Sequence, residues 1–381
     1  MADPRIVRVE WGCLTGQRPR AAGSNARLGP HGERVSVPLV CLSSDDGATG
    51  FGLGRPSPRR ASALLGVRLG DVFSPDRGVA GSWRAFDYAL WDLAGKRAGR
   101  PVYALAARAG RTVARPYRFP CYDTSLYFDD LHVVSDEEAA AFIGAEARAG
   151  YARGHRAFKI KVGRGARHLP VEGGTRRDIA VIRAVRAAVG PDATLMLDAN
   201  DGYTLNLAKR VLRETAECRI FWLEEAFHED AVLYADLRAW LNAHGLPVLI
   251  ADGEGESSPD LLRWARRGLI DVVQYDIGAH GFTGWLRTGR RLDAWGVRSA
   301  PHHYGTGYGN YAAGHLAGAI DGFAYAEWDE AAIAGLDSSG YALCEGQVSV
   351  PEAPGFGLAL DEAVFQQAID EDGFRYALRK S

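Results

Sequence analysis

From about Arg115 onward, short β-prone apolar runs alternate with stretches whose apolar positions recur every three or four residues. That alternation predicts βα units and a parallel sheet. The candidate strands are RFPCYD, AFKIKV, LMLDAN, FWLEEAF, VLIADGE, VVQYDI, RSAPHH and YAEWDE. The intervening helices carry their own punctuation. Ile179, Ile182 and Val185 form one apolar stripe closed by Gly190 and Pro191, and Ser258, Pro259 and Gly268 bracket another helix around Leu261, Leu262 and Ala265. Eight such units would close a (β/α)₈ TIM-type barrel.

The chain before Arg115 is different. Arg5 to Val9 and Val35 to Leu42 are strand-like. Between them, Thr15 to Arg34 is rich in Gly, Pro, Arg and Asn and is expected to be a long functional loop. A helix follows in FDYALWDLAGKRAGRPVYAL, with Phe86, Leu90, Leu93 and Ala94 at helical spacing and Gly99 and Pro101 as its stop. After the eighth unit, GQVSVPEAPGFGLALDEAVF leaves the pattern and suggests a return to the N-terminal part. The expected architecture is therefore α/β, with a (β/α)₈-type barrel over 113–339 and an α+β capping domain made of 1–112 plus 340–381.

In such a fold the active site lies where strands end and βα loops begin. The strand ends present Lys159 and Lys161, then Asp198, Glu224, Glu254, Asp276, His302 and Glu327, and the steps after Asp198 are 26, 30, 22, 26 and 25 residues. One ionisable group per unit on six consecutive strands is not a scatter of surface charge. Residues two apart share a face, so Lys159 joins Lys161, Asp198 joins Met196 and Asn200, Glu224 joins Trp222, Asp276 joins Gln274 and His302 joins Ala300. Asp198, Glu224 and Glu254 offer only hard oxygen donors, which suits Mg²⁺ better than Zn²⁺. IADGEGESS also contains Asp252 and Glu256, which leaves Glu256 as an alternative third ligand. Two inward lysines need carboxylate partners, and crowding is expected to lower a lysine's pKa towards use as a base. Asp276 and His302 on adjacent strands could form a carboxylate–imidazole pair.

Composition narrows the class without changing this picture. Hydrophobic residues make up 47% of the 381, and the formal net charge is -2, so nothing favours nucleic acid or an anionic membrane as partner. No apolar run approaches the roughly 20 residues that span a bilayer, and MADPRIVRVEWG lacks a signal-peptide layout. Five scattered cysteines without CxxC spacing suggest reduced thiols in a cytoplasmic protein.

The segments ALWDLAGK, FKIKV, LDANDGYT, WLEEAF, YDIGAHGFTGW, APHHYGTGYGNYAAGHLAGAI, YAEWD and PEAPGFGLALDE stand in an order that resembles the enolase superfamily, specifically its mandelate-racemase subgroup with its many acid-sugar dehydratases. The resemblance implies an enolase-like modified barrel and Mg²⁺ held by Asp198, Glu224 and Glu254. It further implies Lys161 as general base, Lys159 on the substrate carboxylate, a His302–Asp276 acid/base on the opposite face, and Glu327 hydrogen-bonding the developing enediolate. A capping loop near Arg18 to Arg27 would close over the substrate. Ala226 departs from the proline usual after the Glu-Glu pair, and His303 is expected to be a wall residue.

The implied reaction removes the proton α to a carboxylate. A dehydratase then expels the β-hydroxyl to give a 2-keto acid. A racemase or epimerase returns a proton on the other face, and a non-catalytic metal- or acid-binding barrel is the alternative of another class. The HHYGTGYGNY stretch favours dehydration. Arg18, Arg20, Asn25, Arg27 and Arg34 suit a polyhydroxylated or two-carboxylate acid, with Asn200, Tyr122, Asp123 and His303 as further substrate contacts. The expected partner is a small carboxylic acid, and the expected assembly a homo-oligomer.

Overall fold

The computed structural model describes residues 3–108 and 113–378. The expected domain boundary at 112 and the residues 379–381 lie outside that range. Three antiparallel strands come first: β1 (Ile6–Ala22), β2 (Gly32–Ser44) and β3 (Thr49–Leu53). Helix α1 (Asp87–Arg97) packs on them with Leu90 and Leu93 fully buried.

The expected long loop is mostly strand. Gly16 faces Val35 and Gln17 faces Arg34 in the β1–β2 ladder, so the connection itself covers only 23–31. Burial alternates along this part of β1, with Leu14, Gly16 and Arg18 inside and Thr15, Gln17 and Pro19 outside. The two-residue period was there, but an arginine occupies one of its buried positions and hides it from a hydrophobicity pattern.

Eight parallel strands follow: β4 (Arg118–Leu126), β5 (Ala157–Lys161), β6 (Thr194–Asp198), β7 (Ile220–Glu224), β8 (Leu249–Asp252), β9 (Val272–Val273), β10 (Arg298–Ser299) and β11 (Ala326–Trp328). β4 to β10 pair in chain order, and β11 pairs with β4, Glu327 opposite Tyr122. A single parallel bridge joins Ser299 to Phe323, just ahead of β11. Helices α2 (Asp136–Ala152), α3 (Val171–Val189), α4 (Leu205–Glu214), α5 (Ala231–Ala243), α6 (Leu261–Arg266), α7 (Phe282–Trp295) and α8 (Tyr308–Ala317) alternate with the strands. Their starts are chemically marked, since Ser135, Thr204 and Asp230 each accept a hydrogen bond from a first-turn N–H. Gly190 ends α3 at φ 80°.

The inner faces of the parallel strands bury Tyr122, Ala157, Met196, Trp222, Ala251, Val272 and Ala300 against one another. Tyr122 and Trp222 meet edge-on at 5.7 Å. This apolar plug lies one side-chain level below the charged strand ends, so anything bound there rests on a dry floor.

The last segment ties the two sheets together. A hairpin of Ala342–Cys344 and Gln347–Ser349 pairs with the start of β4. Helix α9 (Glu362–Asp372) and β12 (Phe374–Ala377) then pack on and pair with β1. Between the parts, Tyr88 donates to the Ile277 carbonyl at 2.6 Å, and Asp87 accepts from the Thr283 N–H and hydroxyl at 2.9 and 2.6 Å. His315 of α8 accepts from the Tyr103 N–H at 2.9 Å, and its other nitrogen lies 2.9 Å from the Tyr341 hydroxyl. Such buried polar bonds across a seam fix its register.

Candidate active site

Strand register places the charged ends at one height. Lys161 faces Asp198, which in turn faces Glu224. Glu254 arrives on the turn after β8, and a parallel bridge aligns Asp276 with His302 just beyond β9 and β10. The result is a carboxylate cluster in which donor atoms of Asp198, Glu224 and Glu254 all lie within 4.8 Å of one another. Glu254 Oε2 is buried without a hydrogen-bond partner. An acceptor without a hydrogen bond beside two other carboxylates, with oxygen as the only donor element, fits a hard divalent cation such as Mg²⁺. Glu256 is exposed, and Asp252 turns away to accept from the Tyr234 hydroxyl at 2.6 Å. Of the three acids in this segment, Glu254 is the one whose carboxylate joins the cluster.

Both lysines line one side of the cluster. Lys159 Nζ lies 2.8 Å from Glu224 Oε1, 3.2 Å from Asp198 Oδ2 and 3.6 Å from Glu327 Oε1, and Lys161 Nζ bonds Asp198 Oδ2. Burial opposes their charge, but the carboxylates outweigh it and raise both pKa values, Glu224 contributing most at Lys159 and Asp198 at Lys161. The neighbours that crowd the lysines are anions, which raise a lysine pKa where the expectation was that crowding lowers it. Glu224 is pushed up to about 7 by burial and by Asp198.

His302 stands opposite. Its Nδ1 is 2.5 Å from Asp276 Oδ1, and its Nε2 is 3.4 Å from Glu254 and 3.8 Å from Glu327. Burial works against the imidazolium, yet Glu254, Glu327 and Asp276 together raise its pKa to about 10. Asp276 is itself held by the Gly255 N–H at 2.9 Å.

Glu327 is held by two donors. It accepts from the Thr124 hydroxyl at 2.6 Å and the His303 N–H at 2.8 Å. Burial alone would protonate it, but Lys159, His302 and His303 hold it well below the usual carboxylate range. These cations favour the ionised, accepting form of Glu327. His303 donates from Nε2 to the Glu327 carbonyl at 2.7 Å and wedges the strand end in place.

Other expected contacts are spent elsewhere. Arg18 forms a bidentate pair with Asp329, with contacts from 2.9 to 3.2 Å. Arg20 pairs with Asp129 and Glu146 at 2.7 and 2.9 Å. Asn25 turns its side-chain oxygen onto the N–H groups of Arg27 and Leu28, at 2.9 and 2.6 Å. Arg27 reaches Asp201 at 2.8 Å, and Arg34 is exposed. Asp123 accepts from the Ser125 N–H at 2.8 Å and approaches Arg153, while Tyr122 is sealed in the plug beneath Lys159. Asn200 sits beside the cluster, donating to Glu225 at 2.8 Å, with its own oxygen buried and unpartnered. Asn200, Asp201 and Glu225 all have positive φ, at 41°, 60° and 42°, a concentration of backbone strain at the strand ends.

Several neighbours were given a face or no mention in the sequence, and no role. Gln274 and Trp222 donate to Glu224 Oε2 at 2.8 and 3.1 Å; strand parity with Asp276 and Glu224 was the available signal. Asp329, two residues beyond Glu327, was visible the same way. Tyr127, Tyr304 and His31 pack together over the mouth, and their clustering is tertiary.

Residues 143–364 match the model of the enolase C-terminal domain-like family. The D-galactarolactone cycloisomerase of Agrobacterium fabrum is 32% identical over 72% of this chain and 73% of its own length. Arabinonate dehydratase of Saccharolobus solfataricus is 28% identical, covering 74% of this chain and 70% of its own. The crystal structure of galacturonate dehydratase from Geobacillus sp., complexed with D-galacturonate and 5-keto-4-deoxy-D-galacturonate, superposes with a TM-score of 0.95 at 45% identity, over 99% of this chain and 100% of that one. With the family model matching more than half of its length, this chain belongs to the enolase C-terminal domain-like family of the enolase superfamily.

Proposed function

We propose that this protein is a Mg²⁺-dependent dehydratase of sugar-derived hydroxy acids, removing the α-proton and eliminating the β-hydroxyl to leave a 2-keto acid. The observation that carries this reading is the carboxylate cluster of Asp198, Glu224 and Glu254 flanked by Lys161 on one side and the His302–Asp276 pair on the other. The ligands that name the Geobacillus structure support it, since galacturonate and its 5-keto-4-deoxy product differ by one water. In that conversion the α-proton is on C5 and the lost hydroxyl on C4.

The eight-stranded parallel sheet is taken as a closed (β/α)₈ barrel, supported by the β11–β4 ladder and the Ser299–Phe323 bridge. The capping unit is assigned 1–112 with 340–381 and the barrel 113–339. The β1–β12 ladder supports that division, and the hairpin on β4 is where the returning segment crosses the barrel's end.

Asp198, Glu224 and Glu254 would hold Mg²⁺, which when bound supplies positive charge against the doubly charged enediolate and competes with the lysines for the same carboxylates. Lys159 lies nearest Glu224 and Glu327 and is assigned to the substrate carboxylate. Lys161 would shed its own proton once Asp198 is engaged by the metal, and its free amine then takes the α-proton on one face. On the other, His302 carries a proton that Asp276 orients and the surrounding carboxylates retain, so it is loaded to protonate the departing hydroxyl. One C–H and one C–O bond break, water leaves, and the enol tautomerises to the ketone. Glu327 keeps the imidazolium charged from its remaining side. The buried plug closes the site from below.

The test is a panel of hexonic, hexaric and hexuronic acids incubated with the Mg²⁺-loaded protein, reading 2-keto acid as its semicarbazone. Product from at least one acid, lost on chelation and recovered with Mg²⁺, is expected. Racemised acid without product would move the reading to an epimerase, and no change in any acid would end it.

A further inference from the structure

The capping connection was expected to offer free arginines to a substrate, and the structure spends them. Arg18 is 8% exposed and closed on Asp329, which is 3% exposed, through two nitrogens. Arg20 is shared between Asp129 and Glu146, and Arg27 lies on Asp201 near Glu225. What faces the mouth in their place is neutral. Lys161 Nζ sits 5.2 Å from the centre of the Tyr127 ring. Tyr127 stacks on Tyr304 at 4.9 Å, and His31 packs against both at 4.8 and 5.7 Å. The three rings thus continue outward from the reacting lysine.

Two of them carry unused polar atoms. Tyr304 Oη is buried beside the Tyr127 hydroxyl but forms no well-aligned hydrogen bond, a costly state for a hydroxyl unless a ligand completes it. His31 Nδ1 lies 2.9 Å from the Gly23 carbonyl, which can only accept, so Nδ1 carries the hydrogen. Burial lowers the pKa of this ring, and the neutral tautomer leaves Nε2 as an acceptor. A phenol that donates and an imidazole that accepts match a chain of hydroxyl groups. A second carboxylate would find the guanidinium of Arg18 already neutralised, with Asp329 and Glu327 repelling it.

We propose, building on the acid-sugar reading above, that His31, Tyr127 and Tyr304 bind the end of the substrate remote from the reacting carboxylate. The Arg18–Asp329 pair then makes the site select acids with a neutral polyhydroxyl tail over dicarboxylates. Asp329 and Tyr304 are specificity-determining residues in this assignment.

The test is calorimetric titration of the Mg²⁺-loaded protein with L-galactonate and with galactarate, which share configuration at the reacting end and differ only in the terminal carbon. L-galactonate should bind at least about tenfold more tightly. Asp329→Asn, which leaves the Arg18 charge uncompensated, should narrow that ratio about tenfold. Tyr304→Phe should weaken L-galactonate about tenfold and leave glycolate, which has no tail, unchanged. Equal binding of the two acids, tighter galactarate, an unmoved ratio in Asp329→Asn, or binding of neither acid overturns the proposal. Selective binding without 2-keto acid formation would sink the dehydratase reading alone, and turnover with equal binding would sink this one alone.

Discussion

Replacing Gln274 with Met should weaken Mg²⁺ binding by about 10- to 100-fold at pH 7. Gln274 is fully buried, and its amide donates to Glu224 Oε2 at 2.8 Å, with Trp222 adding a bond of 3.1 Å to the same oxygen. Methionine keeps most of the volume and removes the donor, so the change acts on the carboxylate and not on the packing. A hydrogen bond to a charged group is worth about 1.5–3 kcal/mol, which at about 1.4 kcal/mol per decade corresponds to the stated range. The effect is sharpened by protonation. Burial and Asp198 already push the Glu224 pKa up to about 7, and losing a donor to the anion raises it further. At pH 7 the metal must then displace a proton more often, whereas near pH 9 that competition fades and the deficit should shrink. Calorimetric titration with Mg²⁺, or Mn²⁺ titration followed by electron paramagnetic resonance, measures this without turnover. An unchanged affinity at pH 7 in a folded variant would refute the role given to Gln274, and a deficit that grows with pH would refute the protonation argument.

Lys161→Ala should abolish both α-proton exchange into deuterated water and dehydration, whereas His302→Asn should stop dehydration and leave some exchange, contrasts of about 10²–10⁴-fold that NMR and a 2-keto acid assay resolve. Exchange and product in full from either variant would show that the chemistry lies elsewhere. Glu254→Gln should lose most Mg²⁺ affinity while Glu256→Gln, on an exposed residue, should retain it, as read by the same titration. His315 is fully buried, and burial lowers its pKa from 6.5 to about 3, so its contribution is complete above pH 6.5 and is lost as pH falls towards 3. The gap corresponds to at most about 5 kcal/mol. Urea midpoints of His315→Asn should therefore fall less steeply than wild type between pH 7 and 4, and parallel curves would contradict the linkage.

The strand ends were legible in the sequence because a parallel strand presents its last inward residue at the same place in every unit. Asp198, Glu224, Glu254, Asp276, His302 and Glu327 recur at that position, so their convergence followed from counting, and strand parity placed Lys159 beside Lys161. Local periodicity likewise announced the helices, from the Ile179–Ile182–Val185 stripe to its stop at Gly190. What stayed hidden depends on partners distant in sequence. Only the fold shows that Arg18 meets Asp329 across 311 residues, that Arg20 meets Asp129, and that β1 continues through polar text because β2 supplies its ladder. The protonation states were equally out of reach. A lysine's neighbours decide whether crowding lowers or raises its pKa, and a carboxylate such as Glu327 is ionised or neutral according to cations brought from other strands. Sequence places a charge on a strand, but tertiary structure supplies the field it sits in, because electrostatic energy depends on distance in space and burial and not on position along the chain.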